Sequence, residues 1–224
     1  MEAELDEPIR EPAIRLPWQA AVLALILVAA FAAQLGYGQG DPRPAAQAMG
    51  LVPHELWSRQ ASGVFTYVIV HAGWSHLAFS VVGVLILGAP LARRMPGGAG
   101  FLGLLTFFLL SGALGGLAFA AVAPRSDGIL VGASAGVSGL LAAATRLVRR
   151  RQGVDSLFSP LLMAIGLFWL IGNLLAALTD VVGRSAFSEY GWQAHVGGFV
   201  AGALLTGPWV RLFGHESNLR PAAD

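Results

Sequence analysis

Six long apolar segments set the first constraint on how this sequence can fold. A helix that crosses a bilayer needs roughly 20 mainly apolar residues, because each residue adds about 1.5 Å towards a hydrocarbon core of about 30 Å. The composition agrees, since 55% of the 224 residues are hydrophobic, 12% are charged and the mean hydropathy is +0.65. We therefore predict an all-α membrane protein with six transmembrane helices, at Trp18–Tyr37, His76–Ala92, Gly98–Ala123, Ile129–Val148, Leu157–Thr179 and Trp192–Phe213.

These segments divide the chain into a tail at 1–17, a membrane domain at 18–213 and a second tail at 214–224. The first tail is acidic, unlike the basic start of a secretory signal, so no signal peptide is expected. With the N-terminus inside, ten arginines fall on the inner side and four on the outer side. Because arginine accumulates in cytoplasmic loops, we expect both tails to be cytoplasmic, in a bacterial plasma (inner) membrane.

The residue types that are missing exclude several classes of function. There is no cysteine, which excludes disulfides, thiol catalysis and thiolate metal sites. The net charge of +1 gives no indication of a nucleic-acid partner. The six segments have no interior Asp or Glu, which argues against an aspartyl protease and against a proton-coupled transporter. No HExxH motif occurs, and we expect neither a metal nor another cofactor.

The longest connection, Gly38–Ser75, lies on the predicted outer side between the first two helices. Its apolar stretches, Met49–Trp57 and Val64–Val70, are too short to span a bilayer. We expect them to form short elements that lie in the membrane interface or pack on the bundle. The 29 glycines of the chain indicate close packing between helices in lipid.

Three polar residues fall at a similar depth in different segments. His76 opens the second segment, Ser134 lies about five residues into the fourth, and His195 about three residues into the sixth. All three segments start from the outer side, so the three residues should lie within roughly 10 Å of it. A histidine within a membrane segment is a functional hypothesis, although each could also be structural, bonded to a backbone carbonyl.

The surroundings of Ser134 suit a nucleophile. Residues 132–136 read Gly-Ala-Ser-Ala-Gly, and these small neighbours leave the hydroxyl and the nearby N–H groups uncrowded. Unbonded N–H groups near a helix start could hold an oxyanion. The alternative is that the small residues serve helix packing alone.

These residues belong to motifs that resemble the rhomboid family of intramembrane serine proteases. His71–His76, read HAGWSH, resembles the family's HAGWxH signature. Gly132–Ser134 resembles its nucleophile motif, and Ala194–Gly202 resembles its AHxxGxxxG. The stretch Leu109–Gly116 resembles its third helix. The resemblance extends from about Trp57 to Gly207.

The resemblance implies a catalytic Ser–His dyad without an acidic third member. Ser134 would be the nucleophile and His195 its general base, held in place by packing. His76 and the backbone N–H of Ser134 would stabilise the oxyanion. Substrate would enter laterally between the second and fifth helices, where Phe79 is a candidate gate residue or simply faces lipid.

Two positions depart from the family pattern. Ser80 stands where an asparagine is common, and we assign it to oxyanion stabilisation, with a shorter arm. Ser138 stands where an aromatic residue often packs on the catalytic imidazole. It could orient His195 by bonding the second ring nitrogen, or it could be a packing residue bonded to the carbonyl four residues before it. The sequence Gly136–Gly139 also makes Ser138 a second candidate nucleophile, with Ser134 favoured.

The expected function is that of an intramembrane serine endopeptidase. It would cut transmembrane helices of single-span proteins near the outer membrane face. Its partners would be transmembrane protein substrates and membrane lipid, with no nucleic acid, and the sequence makes no prediction of oligomeric state. The alternatives are a non-catalytic rhomboid-like protein that binds transmembrane clients and an unrelated six-helix channel or transporter.

Overall fold

A computed structural model describes residues 16–56, 61–149, 153–179 and 191–214. The predicted tails at 1–17 and 214–224 lie outside the described residues, apart from residues 16, 17 and 214. Two single-turn 3₁₀ helices occupy Pro53–Glu55 and Tyr67–Ile69. The α-helices of the described chain are α1 (Trp18–Tyr37), α2 (Arg43–Met49), α3 (Gly63–Thr66), α4 (Trp74–Arg94), α5 (Gly97–Val122), α6 (Ser134–Leu147), α7 (Pro160–Thr179) and α8 (Trp192–Phe213).

Five helices of the described chain, α1, α4, α5, α7 and α8, are long and apolar enough to cross a membrane. The predicted all-α membrane class is confirmed. Helix α6 is the exception, because its 14 residues extend only about 21 Å. The predicted fourth span, Ile129–Val148, is therefore wrong at its start. Ser134 is the first residue of the helix and does not lie five residues inside it.

Helix α6 starts late because the residues before it are held in extended backbone. Leu130 and Leu51 exchange two backbone hydrogen bonds, of 2.9 and 3.0 Å, as an isolated antiparallel bridge. Gly132 then adopts a φ of +113°, a value that breaks a helix and favours glycine. The segment between α1 and α4 thus determines where α6 begins.

Tyr67 anchors the backbone just before Ser134. Its carbonyl accepts the Gly132 N–H at 2.9 Å, and its hydroxyl donates to the Gly112 carbonyl of α5 at 2.6 Å. The ring is buried, at 1% exposure. Because both polar groups of Tyr67 are bonded, the backbone that leads into Ser134 is held against α5.

Helices α6 and α8 meet through glycine backbone. A Cβ on Gly198 would overlap the carbonyl of Ala135, and a Cβ on Gly202 would overlap the backbone of Gly139. Small residues allow this approach, which is the usual route to close helix contact in lipid. The α6–α8 contact therefore tolerates no added side-chain atom at these two points.

Arg146 joins the same two helices at the far end of α6. Its buried guanidinium donates to the Ala203 carbonyl of α8 at 2.5 Å and twice to the Asp155 carbonyl, at 2.8 and 2.6 Å. A buried cation needs such acceptors to offset its lost hydration. Helices α6 and α8 are thus joined along their length.

Helix α7 packs sparsely by comparison. Among its side chains whose exposure is described, only Leu162 and Asn173 are buried, at 1% and 4%. Large apolar side chains such as Phe168, at 72% exposure, face outwards. Within the part of the chain that the structure describes, the helix therefore contacts the bundle at few points.

Candidate active site

Ser134 and His195 meet where α6 and α8 begin. Ser134 is the first residue of α6, and His195 is the fourth residue of α8. The serine Oγ lies 2.8 Å from the histidine Nε2, a hydrogen-bond distance. Both side chains are half-buried, so the pair keeps one accessible side.

The backbone contact at Gly198 explains why the two side chains reach each other. Gly198 lies three residues after His195, close to one turn of helix, and touches Ala135, the residue after Ser134. The N–H groups at the start of a helix have no partner within it. The geometry therefore combines a serine hydroxyl, an imidazole acceptor and backbone N–H donors, the groups that acyl transfer requires.

Asn173 is a third member of this cluster that the sequence analysis missed. Its Oδ1 lies 2.6 Å from Nδ1 of His195, and its Nδ2 donates to the Trp169 carbonyl of its own helix at 2.8 Å. The expectation that packing alone holds His195 is therefore wrong. The available signal was that Asn173 is the one amide in the apolar sequence of α7, since buried polar groups in membranes are costly and tend to be functional.

His76 lies against the backbone that leads into Ser134. It is the third residue of α4, and a Cβ on Gly132 would overlap its Cε1 and Nε2 atoms. The Ala72 N–H donates to its Nδ1 over a long 3.5 Å. With Nδ1 as the acceptor, the ring proton resides on Nε2. The arrangement places a donor edge beside the start of α6.

Ser80 is buried one helical turn beyond His76, at 3% exposure. Its Oγ lies 3.1 Å from the His76 carbonyl and 3.2 Å from Nε2 of His71. Burial, and then the neighbouring His76, lowers the pKa of His71 to about 3, so that its imidazole is neutral. The structure therefore joins Ser80 to both histidines of the HAGWSH motif, and its role towards an oxyanion stays a prediction.

Ser138 follows the packing alternative. Its fully buried hydroxyl donates to the Ser134 carbonyl at 2.8 Å, four residues back on α6. The second ring nitrogen of His195 is engaged by Asn173 instead. Ser138 therefore orients neither ring nitrogen in this structure.

Comparison with known proteins agrees with these motifs. The family model described as Rhomboid domain matches residues 54–211, which is well over half of the chain and includes every residue of the site. The chain belongs to the rhomboid family. The predicted resemblance is thereby confirmed.

A human relative, Rhomboid-related protein 3, is 31% identical over 159 residues. The match covers 69% of this chain and 38% of the human protein. The chain thus spans well under half the length of that relative, and the comparison concerns the rhomboid domain alone.

Rhomboid membership and five apolar helices together make this an integral membrane protein. The outer faces of α4 and α7 carry large exposed apolar side chains, which suit contact with lipid. Phe79 is one of them, at 79% exposure on α4. Across the described residues, no three His, Asp or Glu side chains come together as a metal site would require.

Proposed function

We propose that this rhomboid is an intramembrane serine endopeptidase, with Ser134 as the nucleophile and His195 as the general base. The observation that carries the proposal is the 2.8 Å contact between Ser134 Oγ and His195 Nε2. A serine hydroxyl is a weak nucleophile until a neighbouring base accepts its proton. The half-buried setting of both residues leaves a side from which a peptide can approach.

The reaction divides into acylation and deacylation. Ser134 Oγ attacks the scissile carbonyl carbon while its proton moves to His195 Nε2. The protonated imidazole then passes that proton to the leaving amine, and an acyl-enzyme ester remains on Ser134. A water molecule, deprotonated by His195, attacks the ester and releases the new carboxyl end. The serine recovers its proton from the imidazole.

The negative charge of each tetrahedral intermediate needs donors at the start of α6. The unbonded N–H of Ser134 is one candidate, because it belongs to the first turn. His76 supplies the second through Nε2, which faces Gly132 just before the nucleophile. Donors of this kind act best where water is excluded.

We propose single-span membrane proteins as the substrates, cut near their outer ends. Peptide bonds in a helix are shielded by their own hydrogen bonds, so the segment must unwind before attack. The sparse packing of α7 and the exposed Phe79 on α4 favour lateral entry between these two helices. We also propose a membrane domain at 18–213 in a bacterial plasma membrane. We place both tails in the cytoplasm, because ten of fourteen arginines then lie inside.

The test uses purified protein in liposomes that contain a single-span substrate with small residues near its outer end. Wild type should cut this substrate, whereas Ser134→Ala and His195→Ala should each abolish cutting. The double variant should be no slower than either single one, because the two residues act as a unit. Cutting that persists in Ser134→Ala would overturn the proposal. A wild-type protein that binds substrate without cutting it would favour the non-catalytic alternative.

The oxyanion assignment has a test of its own. His76→Ala should slow turnover about 10²- to 10³-fold with little change in substrate binding, as expected for one lost oxyanion donor. Normal turnover would make His76 a structural residue.

Ser80→Asn restores the family-like amide next to His76. If Ser80 also contributes to the oxyanion site, activity should be equal or higher in this variant. A fall in activity would assign Ser80 to its bonds with His71 and His76.

A further inference from the structure

Asn173 is the one buried polar side chain described on α7. A buried amide inside a membrane-spanning helix loses hydration that its hydrogen bonds must replace. Within its own helix, Nδ2 donates to the Trp169 carbonyl four residues back. The oxygen end is directed away from α7, to His195 on α8, at 2.6 Å. The residue therefore links two helices at the catalytic imidazole.

The two hydrogen bonds of Asn173 also define which way the amide points. The group that faces the Trp169 carbonyl must be a donor, so it is Nδ2, and Oδ1 is left for His195. An oxygen can only accept, so His195 must carry its proton on Nδ1. A neutral imidazole has one N–H, so Nε2 presents its lone pair to Ser134 Oγ.

We propose that Asn173 is a positioning residue that extends the Ser134–His195 dyad to a Ser–His–Asn arrangement. This inference rests on the proposed endopeptidase function. By accepting from Nδ1, the amide selects the imidazole tautomer that can act as a base and keeps the ring plane aimed at Ser134. The amide is uncharged, so its effect is smaller than that of the carboxylate in an acid-containing triad.

The competing explanation is that Asn173 only fills space and bonds its own helix. That explanation accounts for the Nδ2 contact but not for an oxygen placed on the imidazole nitrogen. Asn173→Leu separates the two, because leucine keeps a similar volume and removes both polar atoms. Asn173→Asp keeps an acceptor oxygen facing Nδ1, and its carboxyl group, when protonated, still donates to the Trp169 carbonyl.

The matched control is Thr206→Val on α8. Thr206 is fully buried, and its hydroxyl bonds the Gly202 carbonyl of its own helix at 2.6 Å. The change removes a buried polar group of the same bundle without touching the site. It should leave activity within about twofold of wild type, as expected for a local back-bond.

Two measurements are made on each variant in the same detergent or liposome preparation. The first is cleavage of the single-span substrate, resolved into kcat and KM. The second is the rate at which a small fluorophosphonate labels Ser134, a reaction that needs the base but no entry of a substrate helix. Asn173→Leu should lower kcat and the labelling rate by a similar factor, about tenfold to hundredfold, with KM nearly unchanged. Asn173→Asp should recover most of this loss.

The outcomes distinguish a failure of the proposed endopeptidase function from a failure of the positioning role of Asn173. If wild type neither cuts nor is labelled, the proposed function falls and this inference falls with it. If wild type is active and Asn173→Leu matches it, only the inference falls. A rise in KM without a change in the labelling rate would also overturn it, because Asn173 would then serve substrate entry rather than the base.

Discussion

At the candidate active site, helix α8 contacts α6 and α7 in different ways. It meets α6 through glycine backbone, at Gly198 and Gly202, with no room for a further atom. It meets α7 at the active site through the side chain of Asn173. His195 therefore lies between a closely packed helix and a sparsely packed one.

This difference explains how the site can be both aligned and accessible. Backbone contact fixes the separation of α6 and α8, and with it the distance between Ser134 and His195. The few contacts of α7 among the described residues favour the proposed approach of a substrate helix from that side of the bundle. Glycine-to-alanine substitutions test how closely α8 packs against α6 and against α7, because each substitution adds one carbon atom at a known position.

The largest effect is expected for Gly198→Ala. The new Cβ would overlap the Ala135 carbonyl, and a backbone cannot yield as a flexible side chain can. We expect the helices to separate, at a cost of about 1–3 kcal/mol in stability. Displacement of His195 by about 1 Å could lower kcat about 10²-fold. Cleavage rate and thermal unfolding in detergent measure the two effects.

Gly207→Ala is the matched control on the same helix. A Cβ at 207 has no atom within 4 Å, so both rate and stability should stay close to wild type. If Gly198→Ala behaved like Gly207→Ala, the α6–α8 contact would not be what sets the catalytic distance.

A smaller but clear loss is expected for Gly132→Ala, at the entrance to α6. The substitution has two costs, since φ there is +113° and the Cβ would overlap the His76 ring. We expect a loss in kcat of about tenfold to hundredfold, because both the N–H at the start of α6 and the Nε2 of His76 would move. Gly73→Ala is the control, because its extended backbone accepts a side chain and its Cβ would meet no atom. Equal rates in the two variants would remove His76 from the oxyanion site.

The position of Ser134 could be predicted only in part from the sequence. Helical rise placed Ser134 and His195 at one depth, and the structure joins them by a hydrogen bond. Hydropathy continues through Ile129–Val131, so it also predicted helix there. The helix does not extend back to Ile129 because Leu130 pairs with Leu51. This is a contact between distant parts of the chain that no local pattern reveals.

The contact of Asn173 with His195 could not be predicted from the sequence, for a related reason. Its polarity in an apolar segment indicated a partner, but the partner depends on how α7 is rotated about its axis against α8. That rotation follows from contacts of Leu162 and other side chains across helices, and glycine spacing in α7 does not define it. Motifs predicted the closely packed side of the site, where small residues mark the contact, and missed the sparsely packed side.

Ser138→Ala should have little effect although the residue lies on the closely packed side. Its hydroxyl bonds its own helix at the Ser134 carbonyl, so its loss removes no contact with His195. We expect kcat within about threefold of wild type, since back-bonds of this kind contribute little to a helix. A tenfold loss in kcat would revive an orienting role for Ser138.

The smallest effect is expected for Gly172→Ala, which tests the sparsely packed side. Gly172 is exposed, lies next to Asn173, and a Cβ there would meet no atom within 4 Å. Because the methyl group would project away from α8, Asn173 should keep its bond to His195, and kcat should stay within about twofold.

Gly166→Ala is its companion on the same helix, where the Cβ would come within 3.1 Å of the Phe199 ring. A ring edge can shift, so this variant should lose somewhat more stability than Gly172→Ala but far less than Gly198→Ala. A rise in KM for the single-span substrate in Gly172→Ala, with the fluorophosphonate labelling rate unchanged, would show that a substrate helix packs against this face of α7. A fall in the labelling rate would contradict the sparse packing of α7, because it would mean that the backbone of α7 is held as closely as that of α6.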